Sequence, residues 1–326
     1  MSIVDEIQNW SDKKVLIIGE ASIDKYIVGY ADRISPDAPV PNIKIEDNLE
    51  YLGGIGLVTK FIKSLGGVPE VCSIVGDDYE GNFFINRTKE LGIDTSGIVV
   101  DKTINTPQIT RVKARGQHLI RLEKDYELNI SENTINLYFD KITSCSSDID
   151  SILLLDYGIG ELHQDAFIHS LLGKLKDTYD APIIARPNLN NHYLYEGVEL
   201  IRMNLQKALL SCSIECCNDT SVSIVGKRIL NASHCKNVLL NNIQSDSYLF
   251  QSKNEQFIKF PSALDTPVRS YVAVGSVIMA ILGLGSAAGI SVPKSAKIAL
   301  QGATLSSILP PVEFFTQEKL INYISE

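Results

Sequence analysis

Short apolar runs rich in Val, Ile and Leu recur along the chain: KVLIIGE (14–20), EVCSIVG (70–76), SILLLDY (151–157), APIIARP (181–187), ELIRMN (199–204) and NVLLNN (237–242). Between them lie stretches with helical spacing of apolar positions: the segment after Gly53-Gly54, GNFFINRTKELGI (81–93), ELHQDAFIHSLLGKLKDTY (161–179) and LQKALLSC (205–212). A run that is apolar on both faces cannot sit at a solvated sheet surface. Alternation with helices therefore predicts a doubly wound parallel sheet of the α/β class, covered on both faces. Ligands in such sheets lie beyond the carboxyl ends of the strands, so the residues just after each run are the ones to examine.

Two stretches break the alternation. YIVGYADRISPDAPVPNIKIEDNLEY (26–51) carries three prolines among short alternating runs, and TPQITRVKARGQHLIRLE (106–123) reads as a hairpin turning at Arg115-Gly116. Both read as antiparallel and too polar for a sheet buried on two faces. They predict a small antiparallel β lid inserted in a single domain of residues 1–326. Its unpaired edges predict a homodimer or heterodimer through the lid.

Val272–Val292 contains no charged residue and is long enough to cross a bilayer, but Gly275, Gly283, Gly285 and Gly289 fit a buried helix ending near Gly283–Gly285 better, so no membrane association is expected. The net charge of −9, without any lysine or arginine run, offers no footprint for nucleic acid. The N-terminal stretch does not read as a signal peptide, which with six cysteines predicts a cytoplasmic protein with reduced thiols. Cys212, Cys216 and Cys217 are close in sequence but lack a fourth ligand at suitable spacing, so no metal site is expected.

After the first strand come GEASIDKY, RISPDAPVP and LGGIGLVTKFIKSLGG, and later QITRVKARGQHLIRLE. This order resembles the ribokinase-like (PfkB) carbohydrate kinases. RISPDAPVP and the spacing from Arg111 to Arg121 look most like the D-glycero-D-manno-heptose-7-phosphate kinases of lipopolysaccharide-core precursor synthesis. The resemblance implies that Asp24, Gly53 and Gly54 meet the sugar and that the guanidiniums of Arg111 and Arg121 clamp a sugar phosphate, while His118, near that site, is placed either to face the sugar and donate to it or merely to pack. Asp156-Tyr157 also match. Leu57 stands where that family has an asparagine. From the residues alone, Arg111 and Arg121 read equally as exposed strand or interface residues, and Gly53-Gly54 as a helix start.

A sugar hydroxyl needs a carboxylate to take its proton, and the transferring phosphoryl group needs N–H donors at a helix start. The family's D-x-x-G-A-G-D pattern falls here on 265–271. Asp265 survives, while Val268, Arg269 and Ser270 occupy the anion-hole positions and Tyr271 the base position. Tyr271 is expected to fill the vacated pocket. The family's N-x-x-E falls on Asn204 to Lys207, its D-P-K on Arg186 to Asn188, and its T-x(4)-G on Asn241 to Asp246. These departures imply a degenerate nucleotide side, no catalytic residue, and no ATP or magnesium unless the site has been rebuilt. The expected function is a pseudokinase that binds a sugar phosphate or a partner protein; the alternatives are a working ATP-dependent sugar kinase with a rebuilt site and a structural subunit with no ligand.

Overall fold

The computed structural model describes residues 2–124, 130–158, 165–215, 218–310 and 313–325. In chain order the elements are α1 (Ile3–Gln8), β1 (Lys14–Gly19), β2 (Ala21–Ile34), β3 (Pro41–Gly54), α2 (Ile55–Ser64), β4 (Val68–Gly76), α3 (Tyr79–Glu90), β5 (Ile98–Asp101), β6 (Gln108–Ala114) and β7 (Gln117–Glu123). There follow α4 (Glu132–Thr143), β8 (Ser151–Leu155), α5 (Asp165–Thr178), β9 (Ile183–Arg186), β10 (Leu200–Asn204), α6 (Leu205–Ser211), α7 (Asp219–Ser233), β11 (Asn237–Asn241), β12 (Ser247–Gln251), β13 (Ile258–Phe260), α8 (Val274–Ala287), α9 (Val292–Ile308) and α10 (Gln317–Ser325).

The main sheet has nine strands in the order β13-β12-β11-β10-β9-β8-β1-β4-β5. It is parallel from β5 to β11 and closes at one edge with two antiparallel strands, β12 and β13. Successive residues of β1 enter opposite cores. Val15 and Ile17 pack with α2, α8 and α9, whereas Leu16 and Ile18 pack with α4, α5 and α7. This two-sided burial is why the strands read as unbroken apolar runs.

The two stretches outside the alternation form the second sheet, of order β3-β2-β6-β7. Each is an antiparallel hairpin, the second turning at Arg115 and Gly116 with positive φ. The seam between the hairpins is parallel, Ile23–Gly29 against Gln108–Ala114, so the lid is antiparallel within each hairpin and parallel where they meet.

The expected helix end near Gly283–Gly285 is corrected: α8 continues to Ala287, with Gly283 seated against Leu153 and Gly285 against Ser295. Glycines here serve close packing, not termination. Among the described residues no helix is long and apolar enough to cross a membrane.

The lid meets the domain at Gly54, whose φ is +51° and whose missing Cβ would lie 2.2 Å from the Glu20 carbonyl oxygen. Replacement by alanine is expected to cost about 1–3 kcal/mol in urea denaturation, from backbone strain and this clash together. An unchanged midpoint would mean that the lid's attachment is soft.

Candidate functional site

The carboxyl ends of β1, β8, β9 and β10, the starts of α2 and α8, and the inner side of the lid enclose a cleft of about 490 Å³. It is lined by Ser22, Asp24, Ile109, Arg111, Arg121 and Glu123 from the lid, Gly54 and Leu57 at α2, Tyr157, Gly158, Arg186 and Lys207 at the strand ends, and Val272 and Ser276 at α8. The structure thus brings together Asp24, Gly54, Arg111, Arg121 and Lys207 from the sequence-derived set. Gly53 stands behind them, its missing Cβ 2.6 Å from Ser22 Oγ. His118 is exposed on β7, opposite Lys113 in register, and does not line the cleft, which corrects the expectation that it faces the sugar.

Arg111 and Arg121 are direct cross-strand neighbours, as a clamp requires. Both are nevertheless engaged. Arg111 donates to the Asp24 carboxylate and lies 5.4 Å from the Tyr26 ring, and Arg121 pairs with Glu123. Burial opposes the charge on Arg111, but the Asp24 carboxylate more than offsets it and raises the guanidinium's pKa. Only 14% and 7% of the Arg111 and Asp24 side chains are exposed, so this pair is part of the structure as well as of the site.

At the strand ends, Asp156 is fully buried and accepts hydrogen bonds from Gly158 N at 2.7 Å, Tyr195 Oη at 3.1 Å and Asn191 Nδ2. It organises the loop. Its carbonyl receives Arg186, whose guanidinium also covers the Tyr157 ring at 4.2 Å. Tyr157 donates its N–H to Glu20 Oε2 at 2.6 Å and its hydroxyl to Gly54 O at 3.1 Å, tying β8 to the lid junction.

The sequence reading passed over Arg202. Its side chain leaves mid-β10 and ends at the first turn of α8, with Nη1 3.3 Å from where a Cβ on Gly275 would be. The residue is 5% exposed and its Nε has no hydrogen-bond partner. Burial and the nearby Arg186 push it down to about 9. The available signal was a guanidinium inside an otherwise apolar strand of a sheet buried on both faces.

The segment expected to open the helix is corrected. Residues 265–272 are irregular and α8 starts at Val274, with Ala273 as a cap that supplies no side-chain hydrogen bond. The N–H groups of Arg269 and Ser270 donate to Ser307 O at 2.8 and 3.1 Å. Val268 packs on the core beside α8. Tyr271 does not fill the pocket: it is 54% exposed, and its hydroxyl accepts from Gln244 Nε2 at 2.6 Å. With the helix beginning three residues later than the pattern implies, this side chain turns to solvent.

Asn204 caps α6, its Oδ1 accepting from Lys207 N at 3.2 Å. Partial desolvation lowers the pKa of Lys207, and Arg186, Arg202 and Arg121 lower it further. Asn241 is buried beside Asn204, Asp246 pairs with Lys259 at 2.9 Å, and Asp265 is exposed and accepts from Thr266 Oγ1 at 3.0 Å. A divalent cation needs carboxylate or carbonyl oxygens, and a side lined by Arg186 and Lys207, with Arg202 buried behind them, does not suit one. Among the described residues no His, Cys, Asp and Glu group could hold a metal; Cys216 and Cys217 lie outside them.

A doubly wound sheet with a β lid over its carboxyl edge is a fold shared with solved carbohydrate kinases. Residues 12–144 match the family profile described as pfkB family carbohydrate kinase. The chain is 34% identical over 200 residues to the bifunctional protein HldE of Helicobacter pylori, covering 60% of this chain and 43% of that protein. With HldE of Desulfatibacillum aliphaticivorans it shares 26% identity over 294 residues, covering 90% and 59%. The chain therefore spans about half the length of these relatives. Phosphofructokinase-2 of Escherichia coli, crystallised with substrates and products, superposes with a TM-score of 0.79 at 14% identity, covering 96% of this chain and all of that one. Arabidopsis thaliana ribokinase, complexed with ribose and ATP, gives 0.75 at 13%, covering 97% and 99%.

Removing one partner of a buried ion pair strands the other. Asp24→Ala is expected to lower stability by on the order of 3 kcal/mol, and Asp24→Ala with Arg111→Met by clearly less. Equal losses in the two variants would show that the pair is solvated.

Proposed function

We propose that this chain is a ribokinase-like sugar-kinase homologue that has lost phosphotransfer and acts by binding a sugar phosphate in the cleft. The observation that carries this reading is the pair of hydrogen bonds from Arg269 N and Ser270 N to Ser307 O, which engages inside the protein the donors that phosphoryl transfer would need. A base is also lacking. The only carboxylates lining the cleft among the described residues, Asp24 and Glu123, are ion-paired with Arg111 and Arg121, and Tyr271 lies on the surface. The rebuilt-kinase alternative draws support from one feature, the Arg202 guanidinium against α8, which can stabilise charge but cannot accept a proton. A structural subunit would have no use for cations without carboxylate partners at a cleft floor, as Arg186 and Lys207 are among the described residues.

The lid leaves Ile34, Val40, Ile45, Leu119, Ile120 and Leu122 exposed, an apolar surface suited to a second copy or a partner protein, and we place the protein in the cytoplasm. Light scattering at micromolar concentration is expected to give a dimer that Ile45→Glu with Ile120→Glu converts to monomer. A monomeric parent protein would limit the lid surface to a different partner.

With saturating ATP, magnesium and a panel of heptose and hexose phosphates, ADP release is expected to equal that of a blank without protein. The same sugar phosphates are expected to raise the melting temperature, an effect lost in Arg111→Ala. Turnover that Arg202→Met abolishes would replace this reading with a rebuilt active site.

A further inference from the structure

Three cations gather at the floor of the cleft with no carboxylate partner among the described residues: Arg186 at the end of β9 and Lys207 in α6 line it, and Arg202 in β10 lies buried beneath them against α8. Arg202 is the decisive one. A guanidinium that is 5% exposed would ordinarily be paired, because an unpaired buried charge is costly. Here its neighbours make the cost greater. Arg186 carries the same charge, and the first turn of α8, a helix of 14 residues, presents the positive end of its dipole to Nη1. Gly275 puts no side chain between the guanidinium and the helix, and Ala273 offers no capping oxygen, so no side chain caps the first-turn N–H groups beside Arg202. Ser276 adds a hydroxyl to the cleft wall there.

We propose that Arg202, with Arg186, Lys207 and the start of α8, forms a site for a phosphate group that binds without a divalent metal. The proposal rests on the reading of the cleft as a binding site and adds where the anion sits and what neutralises it. A guanidinium fork and an ammonium suit the two or more charges of a phosphate monoester or a polyphosphate, and they repel magnesium. In a kinase a metal shields the phosphates; here protein cations perform that shielding. The ligand is thereby a phosphorylated metabolite in its metal-free form, whether its phosphate is carried by a sugar or by a nucleotide.

The test is calorimetry and thermal shift on the full chain with pyrophosphate, inorganic phosphate, glucose 6-phosphate and ADP, each in EDTA and in magnesium. At least one compound is expected to bind in EDTA as tightly as in magnesium, or more tightly. Arg202→Met is expected to weaken that binding by roughly 10–100-fold. The ligand-free variant is expected to melt no lower than the parent, since an uncompensated buried charge has been removed. A lower melting temperature together with unchanged binding would overturn the proposal and make Arg202 a packing residue. Binding that requires magnesium, or no binding by any of the four compounds at millimolar concentration, would also overturn it. Sugar-phosphate binding lost in Arg111→Ala but retained in Arg202→Met would sink this site alone. Pyrophosphate binding lost in Arg202→Met without any sugar-phosphate binding would sink the sugar reading and leave the site standing.

Discussion

The burial of α8 is the constraint from which the cleft follows. Nearly every residue of this helix is inside the core, with Gly283 against Leu153 of β8 and Ile281 crossing Gly302 of α9. A helix apolar all round can only be central. Ser151 Oγ, donating to Gly283 O at 2.9 Å, fixes its height along the sheet. Once that height is set, the first turn of α8 must open at the carboxyl ends of β8 and β10, and the chain leading into it must pass the last turn of α9. The contacts of Arg269 and Ser270 with Ser307 and the approach of Arg202 to Gly275 are two results of one packing arrangement.

The cleft divides electrostatically into two halves. On the lid, each guanidinium is answered by a carboxylate of the same sheet, Arg111 by Asp24 and Arg121 by Glu123. On the floor, Arg186, Arg202 and Lys207 stand among backbone groups, aromatic rings and one another. The lid half is therefore close to neutral and the floor positive. A ligand entering this space meets its strongest field beside the strand ends and not at the β hairpins.

Most of the architecture was legible because it is written in periodicity. Runs such as SILLL and NVLLN have no polar face, and Arg115-Gly116 marks a turn whose positive φ few residues accept. The parallel seam of the lid was not legible, since alternation gives a strand its faces but not the direction of its neighbour. The irregular 265–272 segment was missed because the small apolar residues that follow it suit a helix but do not mark where its first turn begins. Arg202 escaped notice because its burial depends on α8, which arrives some seventy residues later in the chain. Motif positions such as Asn204 and Lys207 were found, whereas the residue between β10 and α8 that gives them their electrostatic setting belongs to no motif.

The seam between β2 and β6 also orders events in time. Its strands are separated in the chain by β3, α2, β4, α3 and β5, so their pairing closes a long loop whose entropy must be offset by contacts formed elsewhere first. The β1-α2-β4 portion can assemble from near-neighbour contacts, while the lid awaits both of its hairpins. During synthesis the first hairpin leaves the ribosome well before its parallel partner and carries an unpaired edge until β6 arrives. The lid is consequently a late-maturing part of the molecule, and its exposed strand edge marks the interval in which the nascent chain is most open to mispairing.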